Sequence, residues 1–180
     1  MQLYFIAIIP PEAISEEVTS IKKSFSINHN SNRSLKSPPH ITLRPPFKMF
    51  SQREEKLYKT LSEFAAEQKS FLLELNGFGH FRKDVIYIKP VKHSRLDNLF
   101  ESLQTCLSTK NDFPPVSQYP AFNPHITVAY RDLSTKAFDE AWKIFEHKQF
   151  NSSFEINSIY LLKHLKQKWE IIHDYRFSPG

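Results

Sequence analysis

The chain has 180 residues, 40% of them apolar, with 24 Lys and Arg against 19 Asp and Glu for a net charge of +5. That is enough apolar material for one packed body or two small lobes sharing a core, and the basic excess favours anionic partners, nucleic acid among them. One cysteine (Cys106) leaves no internal disulfide and no cysteine-based zinc site, and three glycines leave no glycine-rich phosphate loop.

Residues 2–9 form an apolar, β-branched run that reads as a buried strand, ended by Pro10 and Pro11. It lacks the basic flank and small-residue cleavage site of a signal peptide. No apolar run approaches the ~18 residues of a membrane span. The chain is therefore expected to be cytoplasmic, with no membrane contact and as a monomer. Ile14, Val18, Ile21 and Phe25 recur at helical spacing, with glutamates early and Lys22 and Lys23 late, as the helix dipole favours. Both lysines are expected to be solvated. A polar stretch from Ser26 to Ser37 leads to a strand opening Pro39-His40-Ile41-Thr42. Ser51 and Glu54 have capping-box spacing and open a helix with Leu57, Leu61 and Phe64. Phe71 to Leu75 reads as a further strand.

The second half repeats the order. Val85 to Ile88 is a strand, and Leu96, Leu99, Leu103 and Leu107 mark a helix. A proline-rich loop from Phe113 to Asn123 reaches a second strand that opens Pro124-His125-Ile126-Thr127. Phe138, Trp142 and Phe145 mark another helix, followed by a strand near Phe154 to Leu162 and a closing strand from Lys168 to Phe177. The expectation is an α+β, bilobal, internally duplicated domain spanning 1–180, with pseudo-repeats of about 1–80 and 81–165 and a C-terminal strand in 166–180. Two mainly antiparallel sheets would face each other across a central cleft, with helices outside.

The doubled Pro-His-Ile-Thr carries the chemistry. Composition alone would produce about 0.3 His-x-Thr tripeptides in such a chain. Alternate residues of a strand share a face, so His40 points with Thr42 and His125 with Thr127. By the same alternation Arg44 continues the first set, while Ala129 occupies the matching place in the second and Arg131 follows it. Two imidazoles, two hydroxyls and one or two guanidiniums suit a phosphodiester. A neutral imidazole can take a proton while an imidazolium gives one, and hydroxyls and arginines can hold the non-bridging oxygens. No metal or other cofactor is needed for this chemistry. Tyr4 or Phe5, Phe47 and Phe122 are the aromatic candidates for stacking a base.

At these residues the chain resembles the 2H phosphoesterase superfamily, and most closely its 2′-5′ RNA ligase / RNA 2′,3′-cyclic phosphodiesterase branch. The stretches Phe5 to Glu12, His40 to Arg44, Leu161-Leu162 and Trp169 to Ile171 agree with it; Pro45-Pro46-Phe47 departs from the family's usual Phe-x-Gly ending. The resemblance implies a bilobal fold and metal-independent opening of 2′,3′-cyclic phosphates on RNA ends or nucleotides, usually to 2′-phosphates. It makes His40 and His125 the acid–base pair and Thr42 and Thr127 the phosphate ligands, with Arg44 and Arg131 beside them. By the family's polarity of attack, His40 would be the acid and His125 the base. The alternatives are 2′-5′ ligation or cleavage, hydrolysis of an ADP-ribose cyclic phosphate, and a non-catalytic RNA or nucleotide-binding module.

Overall fold

A computed structural model describes residues 1–109 and 122–178. The elements in chain order are β1 (Gln2–Ile8), α1 (Glu12–His29), a 3₁₀ turn (Arg33–Lys36), β2 (Ile41–Met49), a second 3₁₀ turn (Ser51–Arg53) and α2 (Glu54–Ala66). There follow β3 (Phe71–Phe81), β4 (Val85–Pro90), α3 (Ser94–Thr109), β5 (Ile126–Tyr130), α4 (Thr135–Phe145), β6 (Asn151–Ile156), β7 (Ser158–Leu165) and β8 (Lys168–Arg176). Most of the expected proline-rich loop before the second motif lies outside the described residues.

The α+β plan is as expected, and its strand order is 6-3-4-5-2-1-7-8, all neighbours antiparallel. Two four-stranded units, 6-3-4-5 and 2-1-7-8, meet at one residue pair, Ile41 with Ile126. These are the middle residues of the two His-x-Thr motifs. An antiparallel pairing of equivalent residues places an approximate two-fold axis between them. The motif strands therefore lie side by side at a seam.

The lobes are not the two halves of the sequence. β3 closes the first half but pairs with β4, the first strand of the second; β7 pairs with β1, the first strand of the first. Each half thus lends a strand to the other lobe, and each four-stranded unit contains strands from both halves. The single strand expected near 154–162 is two, β6 and β7, separated at Asn157.

Helices cover one face of the sheet. Ile14, Val18, Ile21 and Phe25 of α1 are buried, and the Phe25 ring lies 4.8 Å from Phe145 of α4. α3 buries Leu96, Leu99, Leu103 and Leu107 on the other lobe. The Ser51–Glu54 capping box does not form, because Ser51 to Arg53 is a 3₁₀ turn and Glu54 has other partners. Its carboxylate accepts from Lys163 at 2.7 Å, from Tyr58 at 2.9 Å and from the Tyr4 hydroxyl. Burial alone would raise its pKa; these bonds outweigh it and hold the carboxyl below its ordinary value.

Candidate active site

The sheet face away from the helices forms the floor of a groove of about 830 Å³ over the seam, lined by His40, Thr42, His125 and Thr127 together. Ile41 and Ile126 between them are fully buried on the opposite face, as strand alternation requires. Extending the antiparallel register by one residue sets His40 opposite Thr127 and Thr42 opposite His125. The four side chains form an alternating ring of imidazoles and hydroxyls about the axis.

Each histidine is anchored identically. The Nδ1 of His40 lies 2.7 Å from the Pro38 carbonyl, and that of His125 lies 2.7 Å from the Asn123 carbonyl. A carbonyl only accepts, so Nδ1 carries the hydrogen and donates in both rings. The neutral tautomer then leaves the Nε2 lone pair as the groove-side group. Burial lowers the pKa of both imidazoles, that of His40 to about 4, with the nearby Lys22 charge pushing the same way. Neither threonine hydroxyl has a hydrogen-bond partner among the described residues.

Aromatic rings buttress the two imidazoles differently. Phe5 packs at 4.9 Å from His40, with Trp169 edge-on to Phe5 at 4.6 Å. On the other side Phe81 and Tyr87 pack against His125 at 4.9 and 5.3 Å. Tyr87 pairs with Gly79 across β3–β4, and a Cβ on Gly79 would lie 2.7 Å from the Tyr87 ring. Only glycine leaves room for that ring.

A bulge follows each motif. Ala7 pairs with Thr42 and Ile6 with Arg44, so Leu43 is the extra residue; Tyr87 pairs with Thr127 and Ile86 with Ala129, so Val128 is. The bulge reverses the alternation. This corrects the expectation for Arg44, which is turned into the core beside α3, 1% exposed, its guanidinium donating to Gln104 Oε1 at 3.0 Å. It does not line the groove. Arg131 does, at its rim.

Tyr4 and Phe47 are likewise corrected as base-stacking candidates. Both are buried on the helix side, stacked on each other at 5.9 Å, with the Tyr4 hydroxyl on Glu54. Phe5 and Phe122 do line the groove, Phe122 stacked on Phe100 at 4.1 Å. Trp169, Phe81 and Tyr87 also line or buttress it, although the sequence does not mark them as groove rings. Their signal is alternation on strands paired with the motif strands, which needs the pairing to be known.

Lys22 is the larger surprise. It is 2% exposed, lines the groove, and donates to the Ser34 and Ser37 carbonyls at 3.0 and 3.1 Å. Burial lowers its pKa to about 8. Its position was legible: residues 18, 22 and 25 fall on one helical face with Ile14, so Lys22 belongs to the buried stripe.

Among the described residues, no group of three or more His, Cys, Asp or Glu is placed to hold a metal ion, and no helix is long and apolar enough to cross a membrane. The family model of the 2′-5′ RNA ligase superfamily matches residues 10–168. A protein of Geobacillus sp. (strain WCH70) named "Putative phosphoesterase" is 27% identical over 176 residues, 96% of this chain and 94% of that one. A Bacillus cereus (strain B4264) protein of the same designation is 26% identical over 178 residues, covering 97% and 96%. Escherichia coli LigT, crystallised with 3′-AMP, superposes with a TM-score of 0.71 at 20% identity over 98% of both chains. A protein of Thermus thermophilus does so at 0.70 and 16%, again over 98% of both.

Proposed function

Because the chain belongs to the 2′-5′ RNA ligase superfamily, we propose that it is a phosphoester-acting enzyme that opens 2′,3′-cyclic phosphates on RNA ends or nucleotides without a metal. The observation that carries this reading is the identical anchoring of two imidazoles, each with Nδ1 fixed on a backbone carbonyl and Nε2 left to one groove. A pure binding pocket has no use for two such groups beside two unpartnered hydroxyls.

In the proposed reaction the cyclic phosphate lies over the seam, its non-bridging oxygens accepting from Thr42 and Thr127. One neutral Nε2 takes a proton from water as the water oxygen bonds to phosphorus. The P–O3′ bond breaks in line, and the other histidine, protonated, gives its Nε2 proton to the departing O3′. The product is a 2′-phosphate, and the proton has moved from one imidazole to the other. Both imidazoles resist protonation in the empty groove, so the arriving phosphate charge supplies the bias that holds one proton there. Each positioned transfer contributes about 10²–10⁴-fold.

The relatives support the reading at a coarser level. Phosphoesterase is the activity their names carry, and LigT of E. coli has been crystallised with 3′-AMP, phosphate, ATP and NADP+. The same groups would serve 2′-5′ ligation if a ribose hydroxyl replaced water. The test is phosphorus NMR of nucleoside 2′,3′-cyclic phosphates incubated with the protein in excess chelator. A 2′-phosphate product is expected. Binding without turnover would leave a binding module, and turnover that chelator alone abolishes would overturn the metal-free mechanism.

A further inference from the structure

The two ends of the groove differ in character. Towards β1 it is lined by Phe5, Trp169, Pro45 and Pro46; towards the end of β5 it is lined by Arg33, Arg82 and Arg131. The three arginines come from separate segments: the first 3₁₀ turn, the β3–β4 turn and the residue after β5. Hydrogen bonds stitch those segments together. The Arg131 N–H donates to the Asp84 carbonyl at 2.8 Å. Asp132 accepts from the Ser31 hydroxyl at 2.7 Å, and from the N–H groups of Asn32 and Arg33 at 2.7 and 2.8 Å.

The Asp132 carboxylate is thus occupied by the turn. Among the described residues Asp84 is the one acidic residue lining the groove, and none of the three guanidiniums forms an ion pair. Arg131 lies over the Tyr130 ring at 5.1 Å. Arg82 and Arg131 also hold φ of 50° and 49°, a left-handed backbone that disfavours side chains like arginine. Two such residues at one rim, where glycine or asparagine would be easier, point to a use for the guanidiniums.

We propose that Arg33 and Arg82, with Arg131 beside them, form a second phosphate subsite that takes a phosphate on the 5′ oxygen of the nucleoside being opened. This rests on the reading that the cyclic phosphate lies over the seam. The base leaves ribose at C1′, next to C2′, and the 5′ carbon leaves at C4′, next to C3′. A nucleoside whose 2′,3′ edge sits between the histidines therefore sends its base and its 5′ oxygen to opposite ends. The groove offers Phe5, Trp169 and two prolines at one end and three guanidiniums at the other. The ligand chemistry is a 5′-O-phosphate, either the terminal phosphate of a mononucleotide or the last diester of an oligonucleotide.

The test compares kcat/KM for four substrates: a nucleoside 2′,3′-cyclic phosphate, its 5′-phosphorylated form, the dinucleotide with a diester link, and that dinucleotide with an uncharged methylphosphonate link. A charged 5′ substituent should raise kcat/KM about tenfold, the scale of charge-assisted hydrogen bonds to phosphate. The methylphosphonate should give no gain, and added salt should shrink the gain. In the Arg33→Ala/Arg82→Ala double variant the gain should vanish while the plain nucleoside keeps its rate. The larger gain, terminal phosphate or diester, identifies the source. Equal kcat/KM for charged and uncharged links, or a gain surviving in the double variant, overturns the subsite. If no substrate turns over, the cyclic-phosphate reading fails, and the Kd of a nucleoside 5′-phosphate against the bare nucleoside decides the subsite. A loss in the double variant confined to the phosphorylated ligand supports it; an equal loss for both overturns it.

Discussion

The two lobes present the same motif on the same bulged strand, yet they build its surroundings from different residues. Beside His125, a tyrosine on β4 (Tyr87) fills the space over a glycine on β3 (Gly79); beside His40 the sizes are exchanged, with Ala7 on β1 and Tyr160 on β7. After the bulge one strand carries Arg44 and the other Ala129. Among the described residues only the His40 side has a buried ammonium, Lys22. The antiparallel pairing of equivalent motif residues accounts for the ring of imidazoles and hydroxyls, and the differing neighbours account for the different ends of the groove.

If the two-fold equivalence extends to the chemistry, Thr42→Val and Thr127→Val should each lower kcat by about 10²-fold, the cost of one lost transition-state donor, with little change in stability. A strong effect from one and none from the other, in steady-state assays, would break the symmetry at the phosphate. Gly79→Ala sharpens the contrast around His125. It forces the Tyr87 ring off its seat, and overpacking of this kind costs about 1–3 kcal/mol in denaturant unfolding. On the His40 side the small partner is Ala7, which already carries its Cβ.

Arg44→Met addresses the bulge. Arg44 lies under the sheet with Gln104, so the variant should lose about 2 kcal/mol of stability while KM stays unchanged. A raised KM at unaltered stability would return Arg44 to the groove. The smallest effect is that of Lys22→Met. Burial is the main cause of the low His40 pKa, so removing the ammonium should raise it only in part from about 4, without moving His125, as read by NMR titration. Wild-type stability carries the same signature. Both imidazoles hold a proton less well folded than unfolded, so stability should fall as pH drops from about 6.5 towards 4.

The doubled motif, the order of strands and helices and the helix faces were legible because each rests on local spacing. What escaped depends on pairing. Strand alternation put Arg44 beside Thr42, and a one-residue bulge at Leu43 reversed it. Tyr4 and Phe47 looked available as rings until their strand faces were fixed by β1–β2 pairing. The exchange of β3 and β7 between lobes leaves no mark in composition or periodicity, since a strand carries no label of its neighbour. Lys22 is the exception, being readable from helical spacing once a buried cation is admitted.

The central claim is that His40 and His125 act as one acid–base pair. Its most direct test is the turnover of a nucleoside 2′,3′-cyclic phosphate, in excess chelator, by the native protein, His40→Ala and His125→Ala. The account predicts turnover by the native protein and a loss of at least about 10²-fold in each variant, with substrate still bound. A native protein that binds without turnover, or a single variant that keeps the full rate, would contradict it.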